Sequence, residues 1–214
     1  MISRHTRNLG AALAVTLAAA MLGQGAVRAA PSHALVGGPV AAIGGSDLFG
    51  FFQLAQTDSH RCGGGVTQGF RSTGPQFHRL ASVQVTTDAH GGIAAMTLVL
   101  DRAFIDDRSN GVFAKDLAKS FLREASGPGA AGHLAAEIEA GAGAGMTVVS
   151  GRPPPRPPGP PSAAYQVFLG HGPSASVAAE GLVIANEKEN GKPVLRISVS
   201  HPGGPSCPRA TVAN

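Results

Sequence analysis

The sequence contains no tryptophan, one tyrosine and only two cysteines, and charged residues make up 14% of it. Two cysteines cannot build a disulfide-dense mini-domain, and they are too few for an all-cysteine metal site. No Lys/Arg block with interleaved aromatics occurs, so the usual footprint of nucleic-acid binding is missing. Only one apolar run is long enough to weigh as a membrane span, which excludes a bundle of transmembrane helices. There is no Gly-X-Y period, no sustained heptad and no internal repeat, which removes collagen, coiled coil and solenoid architectures. Gly-x-Ser-x-Gly, the Walker A loop, the Rossmann glycines, His-Glu-x-x-His and Cys-x-x-Cys-His are all absent. No residue set therefore has a spacing that demands one chemistry.

Glycine and proline are abundant instead. The 30 Gly and 16 Pro exceed the usual combined share of roughly 12%, yet fall short of the roughly 25–30% typical of low-complexity chains. With 43% hydrophobic residues in 214, the chain can bury one core, with much of its length in loops. The N-terminus carries the strongest single signal. Arg4, His5 and Arg7 precede the uncharged apolar run Leu9 to Leu22, and Val27-Arg28-Ala29 offers small or tolerated residues for cleavage. That order is the pattern of a secretory signal peptide over 1–29. Fourteen residues of helix reach about 21 Å, short of the ~30 Å hydrocarbon core, so a permanent anchor is disfavoured. Arg4, Arg7 and Arg28 would leave with the signal, taking the net charge from +4 to +1. The Ala/Gly/Pro/Arg-rich composition suits a bacterial envelope protein, and the expected location is periplasmic or secreted.

In an oxidising compartment Cys62 and Cys207 are expected to pair. Cys62 precedes Gly63-Gly64-Gly65, and Cys207 lies between Pro205 and Pro208, so both flanks can adapt to disulfide geometry. The bond would close a loop of about 146 residues, for which chain entropy allows roughly 5 kcal/mol at most. A metal site from His60, Cys62, His201 and Cys207 has none of the tight ligand pairs common in zinc sites, and no cofactor is expected.

Periodicity yields an order of elements. After a loose lead-in at 30–45, the apolar run within Asp47 to Gln56 reads as a buried strand, and Thr57 to Gln76 as a glycine-rich loop. His78 to Thr87 and Ile93 to Phe104 alternate with period two around the turn Asp88-Ala89-His90-Gly91-Gly92, the mark of a hairpin. Phe113, Leu117 and Phe121 make the stripe of a helix from Gly111 to Ala125, followed by an Ala-rich helix near Ala130 to Ala140. Met146 to Ser150 reads as a strand, 152–161 as a proline-rich loop, and Tyr165–Leu169, Val177–Ala185 and Pro193–Ser200 as strands, with a turn at Asn190-Gly191. The expected fold is α+β: an antiparallel sheet (hairpin, two helices, then a meander) with helices packed on one face. The single domain spans 46–202, with a tail at 203–214. This order of elements is similar to that of PAS-like and profilin-like domains, which have two opening strands, helices and three closing strands. The resemblance implies a fold and no function.

The densest polar cluster is Asp101, Asp106 and Asp107, with Arg102 and Arg108 among them. Such carboxylates could bind a hard cation or serve a hydrolase. The plainer reading is that they neutralise the neighbouring arginines and cap the following helix. Lys115, Lys119 and Arg123 form a basic stripe on that helix, and His133 and Glu137 lie one turn apart on the next. The expected role is an exported, non-catalytic binding or accessory domain with no membrane span in its mature chain. A small apolar ligand or an envelope protein would be its partner. A small metal-dependent hydrolase using Asp101, Asp106 and Asp107 is the alternative. Recovered from an oxidising periplasm, the protein should have a denatured intact mass lacking about 29 residues. Reduction should raise that mass by two hydrogens, and an unchanged mass would rule out the Cys62–Cys207 bond.

Overall fold

Where buried apolar residues alternate with polar ones, the chain pairs edge to edge. The computed structural model describes residues 34–74, 77–143, 160–178 and 181–201. Seven strands form one sheet: β1 (Leu54–Cys62), β2 (Gly65–Ser72), β3 (Ala81–Thr87), β4 (Ile93–Asp101), β5 (Ser174–Val177), β6 (Leu182–Glu189) and β7 (Lys192–Ser200). Every pairing is antiparallel, and the order is β1-β2-β3-β4-β7-β6-β5. Four strands, not two, precede the helical segment, and the last strand inserts beside the fourth. The expected α+β class, with helices on one face of an antiparallel sheet, is what the structure has.

The helices are α1 (Asp47–Phe51), α2 (Arg102–Asp106), α3 (Gly111–Ser126), α4 (Ala130–Gly143) and α5 (Ala163–Phe168). On the inner face, Val83, Leu98, Ile197 and Ile184 stand in one row across four strands. They share a single apolar cluster with Leu117, Phe121 and Leu122 of α3, Leu134 and Ile138 of α4, and Val167 and Phe168 of α5. Phenylalanines tie the short elements to this core: Phe49 meets Phe70 of β2 edge-on at 4.9 Å, and Phe77 stacks on Phe113 at 4.0 Å.

Four readings of the sequence are corrected. The run from Asp47 is a helical turn, not a strand, because Ser46 caps it by accepting from the Phe49 N–H and because Leu48, Phe49 and Phe52 fall on one helical face. The glycine-rich stretch expected as loop is the β1–β2 hairpin. Its closing residues Gly63 and Gly64, at φ 51° and 92°, make the left-handed two-residue turn that fits strand twist. Tyr165 to Phe168 belongs to α5, capped by Ser162, whose Oγ accepts from the Tyr165 N–H at 3.1 Å. Phe104 likewise sits on α2, beyond the end of β4. The turns at 88–92 and at Asn190-Gly191 and the helices at Gly111 and Ala130 agree with expectation. Asp88 accepts from the N–H groups of Gly92 and His90, and those bonds hold its carboxyl below the usual aspartate pKa. The segments 1–29, 146–150, 152–159 and 203–214 lie outside the described residues.

The two short helices capped by serine, α1 and α5, are each gripped from a long one. On α3, Glu124 accepts from the Ser46 hydroxyl and from the Leu48 N–H at 2.7 Å. On α4, Glu137, only 3% exposed, accepts from the Ser162 N–H at 2.8 Å and from its hydroxyl at 2.5 Å. Tyr165 lies over Gly141 of α4, where any Cβ would collide with the phenol. Burial, and secondarily the charge of Glu137, raises the phenol's pKa. Replacing Glu124 with Ala would leave buried Ser46 and the Leu48 N–H without this acceptor. Urea unfolding should show a loss of about 1–3 kcal/mol, and a change below about 0.5 kcal/mol would show that the clamp contributes nothing.

Candidate functional site

The five helices all bury their apolar sides on the inner face, so among the described residues none covers the other face of the sheet. That face is built from the alternate residues of each strand, in rows fixed by register. One row runs Asp58, Gly69, Gln84, Thr97, Ser198 and Val183, and the next runs Ala55, Arg71, Ser82, Val99, Arg196 and Ala185. Hydroxyls pair along it: Thr67 with Thr86 at 3.1 Å, and Thr97 with Ser198 at 3.0 Å.

At the end of this face nearest the β6–β7 turn is an open cavity of about 1150 Å³. Thr57 to His60 of β1 line it at one side, Glu189, Asn190, Lys192 and Val194 at the other, with Arg71, Ser82, Val99 and Asp101 between them and His78 to Leu80 at its margin. Its charges are unevenly committed. Glu189 is paired with Arg196 at 3.0 Å, and Glu187 grips the same guanidinium at 3.0 Å. Asp101 accepts from the Ala103 N–H at 2.9 Å, and Asp58 accepts from the Thr57 hydroxyl at 2.9 Å. Arg71 reaches only the His78 carbonyl, at 3.4 Å, while Arg79 and Lys192 have no ion-pair partner among the described residues. Three cations thus face a cavity whose acids are already engaged in hydrogen bonds or an ion pair.

A second hollow of about 170 Å³, lined by His133, Ser162, Leu182 and small residues of α4, α5 and β5, is below the roughly 300 Å³ at which ligand pockets usually begin.

The acidic cluster is divided among structural tasks. Asp101 caps α2, Asp106 pairs with Arg102 at 3.2 Å, and Asp107 accepts from the N–H groups of Ser109 and Asn110 at 2.8 and 2.6 Å, just ahead of α3. Arg102 also donates to the Phe168 carbonyl at 2.7 Å, fastening α2 to α5. No group of three metal-binding side chains exists among the described residues. His60 and His201 stand on strands four places apart in the sheet or just past them, and Cys207 lies outside the described residues. On the basic stripe, Lys119, itself largely covered, pairs with Asp116 at 2.7 Å, and Arg123 pairs with Glu139, an exposed contact that counts for little. His133 lies 3.6 Å from Glu137, whose carboxylate is held by Ser162. No helix among the described residues is long and apolar enough to cross a membrane.

Sequence reasoning found Asp101 but not the cavity. Arg71, Asp58 and His60 fall in a stretch read as loop, so they had no face, and Lys192 meets them only through the insertion of β7. No protein-family model matches this chain, nor does any curated protein or solved structure. Substituting Asp107 by Ala should cost about 1 kcal/mol, read by thermal or urea unfolding, because the N–H groups of Ser109 and Asn110, in the turn leading into α3, lose their acceptor. A neutral effect would show that this turn contact is dispensable.

Proposed function

We propose that this is an exported, non-catalytic binding domain whose site is the cavity on the helix-free face. The observation that carries the reading is the cavity itself: about 1150 Å³, open, and lined by Arg71, Arg79 and Lys192, which have no acidic partners among the described residues. Its size exceeds the usual range for a single small ligand, and its charge favours an anionic occupant. The occupant we assign is an acidic segment of an envelope protein, held by charge-assisted hydrogen bonds. The alternative hydrolase gains no support from geometry, since Asp101 serves a cap, Asp106 an ion pair and Asp107 the turn ahead of α3.

The Cys62–Cys207 bond belongs to the same proposal. Cys62 ends β1 opposite Gly65, is 9% exposed and stands apart from the apolar core, and no free cysteine occurs among the described residues. The end of β7 lies at the same end of the sheet as Cys62, four strands away. Four strand spacings make about 19 Å, and the seven residues from Ser200 to Cys207 can span about 23 Å. The chain is long enough to close the bond, as an oxidising compartment would allow.

Reversing the charge with Arg71→Glu and Lys192→Glu should weaken binding of an acidic partner peptide at least tenfold by calorimetry, while melting temperature stays near that of the parent. Retention of full affinity would place the site elsewhere.

A further inference from the structure

The two edges of the sheet are unlike. β5 is four residues long, whereas β1 runs for nine with a bulge at Thr57; its residues 55–59 are exposed, and no strand among the described residues pairs with its outer edge. An open edge of this length is a template for another strand.

The hydrogen-bond phase of β1 follows from its hairpin. The Val66 N–H donates to the Thr87 hydroxyl and its C=O accepts from it, so the main chain of Val66 is directed at β3. Its opposite number, Arg61, therefore turns its N–H and C=O away from β2, and Ser59, two residues back, does the same. Asp58 and His60 bond inward, and their side chains lie on the helix-free face.

We infer that β1 pairs antiparallel with β1 of a second copy of this chain, across a two-fold axis at Ser59. A two-fold axis normal to the sheet keeps each face with its like, so it must pass through a residue position. Centred on Ser59, it lets the two Ser59 residues exchange both main-chain hydrogen bonds and sets Asp58 opposite His60 of the partner copy, twice. In the pairs flanking a hydrogen-bonded pair the side chains are closest, about 4.5–5.5 Å between Cβ atoms. Centring on His60 would set imidazole against imidazole, and centring on Arg61 would set guanidinium against guanidinium. Only the Ser59 register opposes acid to base. Asp58 leans over Gly69, where no side chain contacts it, and accepts from the neighbouring Thr57 hydroxyl at 2.9 Å; pairing exchanges that local bond for one to His60 of the partner copy. The union makes one continuous sheet with two cavities on the same face, each bordered by the joined strands.

The test is sedimentation or light scattering of the protein as recovered from an expressing cell. Dimer is expected at micromolar concentration. Ser59→Pro removes an N–H that no strand of its own copy uses, so the monomer should keep its circular dichroism and melting point but no longer dimerise. Asp58→Lys should weaken association about tenfold, and the exchange Asp58→His with His60→Asp should restore it. Should Ser59→Pro misfold, the charge variants alone decide. A protein that stays monomeric to about 100 µM, binding peptide or not, overturns the inference. So does a dimer indifferent to both Ser59→Pro and Asp58→Lys.

Discussion

A carboxylate on a long helix gripping the serine that caps a short one is the interaction on which the helical layer depends. Glu124 holds Ser46 and Glu137 holds Ser162, and in each case the oxygens also take a backbone N–H at the start of the short helix. This is the logic of a capping box with its glutamate supplied by a different helix. Five- and six-residue helices have no stability of their own. Their ends are satisfied only because α3 and α4 are already in place. Burying Glu137 is tolerable because Ser162 offers its carboxylate two donors. The clamps in turn hold Phe49 and Phe52 of the first segment, and Val167 and Phe168 of the second, against the sheet.

The same clamps explain where the sequence was legible. The helices at Gly111 and Ala130, the hairpin across 88–92 and the turn at Asn190-Gly191 are local: a stripe such as Phe113, Leu117 and Phe121, or a residue able to take positive φ, suffices. The segments at Asp47 and Tyr165 were read as strands because three or four apolar residues in a row are ambiguous between periods. The deciding partners, Glu124 and Glu137, lie 78 and 25 residues away in the chain. The β1–β2 hairpin escaped for a different reason. β1 is an edge strand exposed on both sides, so Gln56 to Ser59 carry no alternation, and its pairing rests on main-chain hydrogen bonds that composition does not reveal.

The candidate site was legible only in fragments. Asp101 drew notice as part of a cluster, yet its neighbours in sequence cap helices, while its neighbours in space come from β1, β2 and the β6–β7 turn. The outward residues of a sheet acquire meaning only once strand order is known. Here the order sets Arg71, Val99 and Arg196 in one row across four strands.

The insertion of β7 beside β4 also bears on how the chain reaches this shape. The first four strands form a meander whose pairings are all short in sequence, so they can associate without the rest of the chain. The far side of β4 then stays unpaired until its partner arrives: Thr97 and Ser198, hydrogen-bonded at 3.0 Å, are separated by 101 positions. Closing that contact is a late, entropically costly step. Until it happens, a strand carrying Met96, Leu98 and Leu100 presents a bare apolar edge. The half-formed sheet is therefore the species most exposed to misassociation, and the helices and the final hairpin are what retire it.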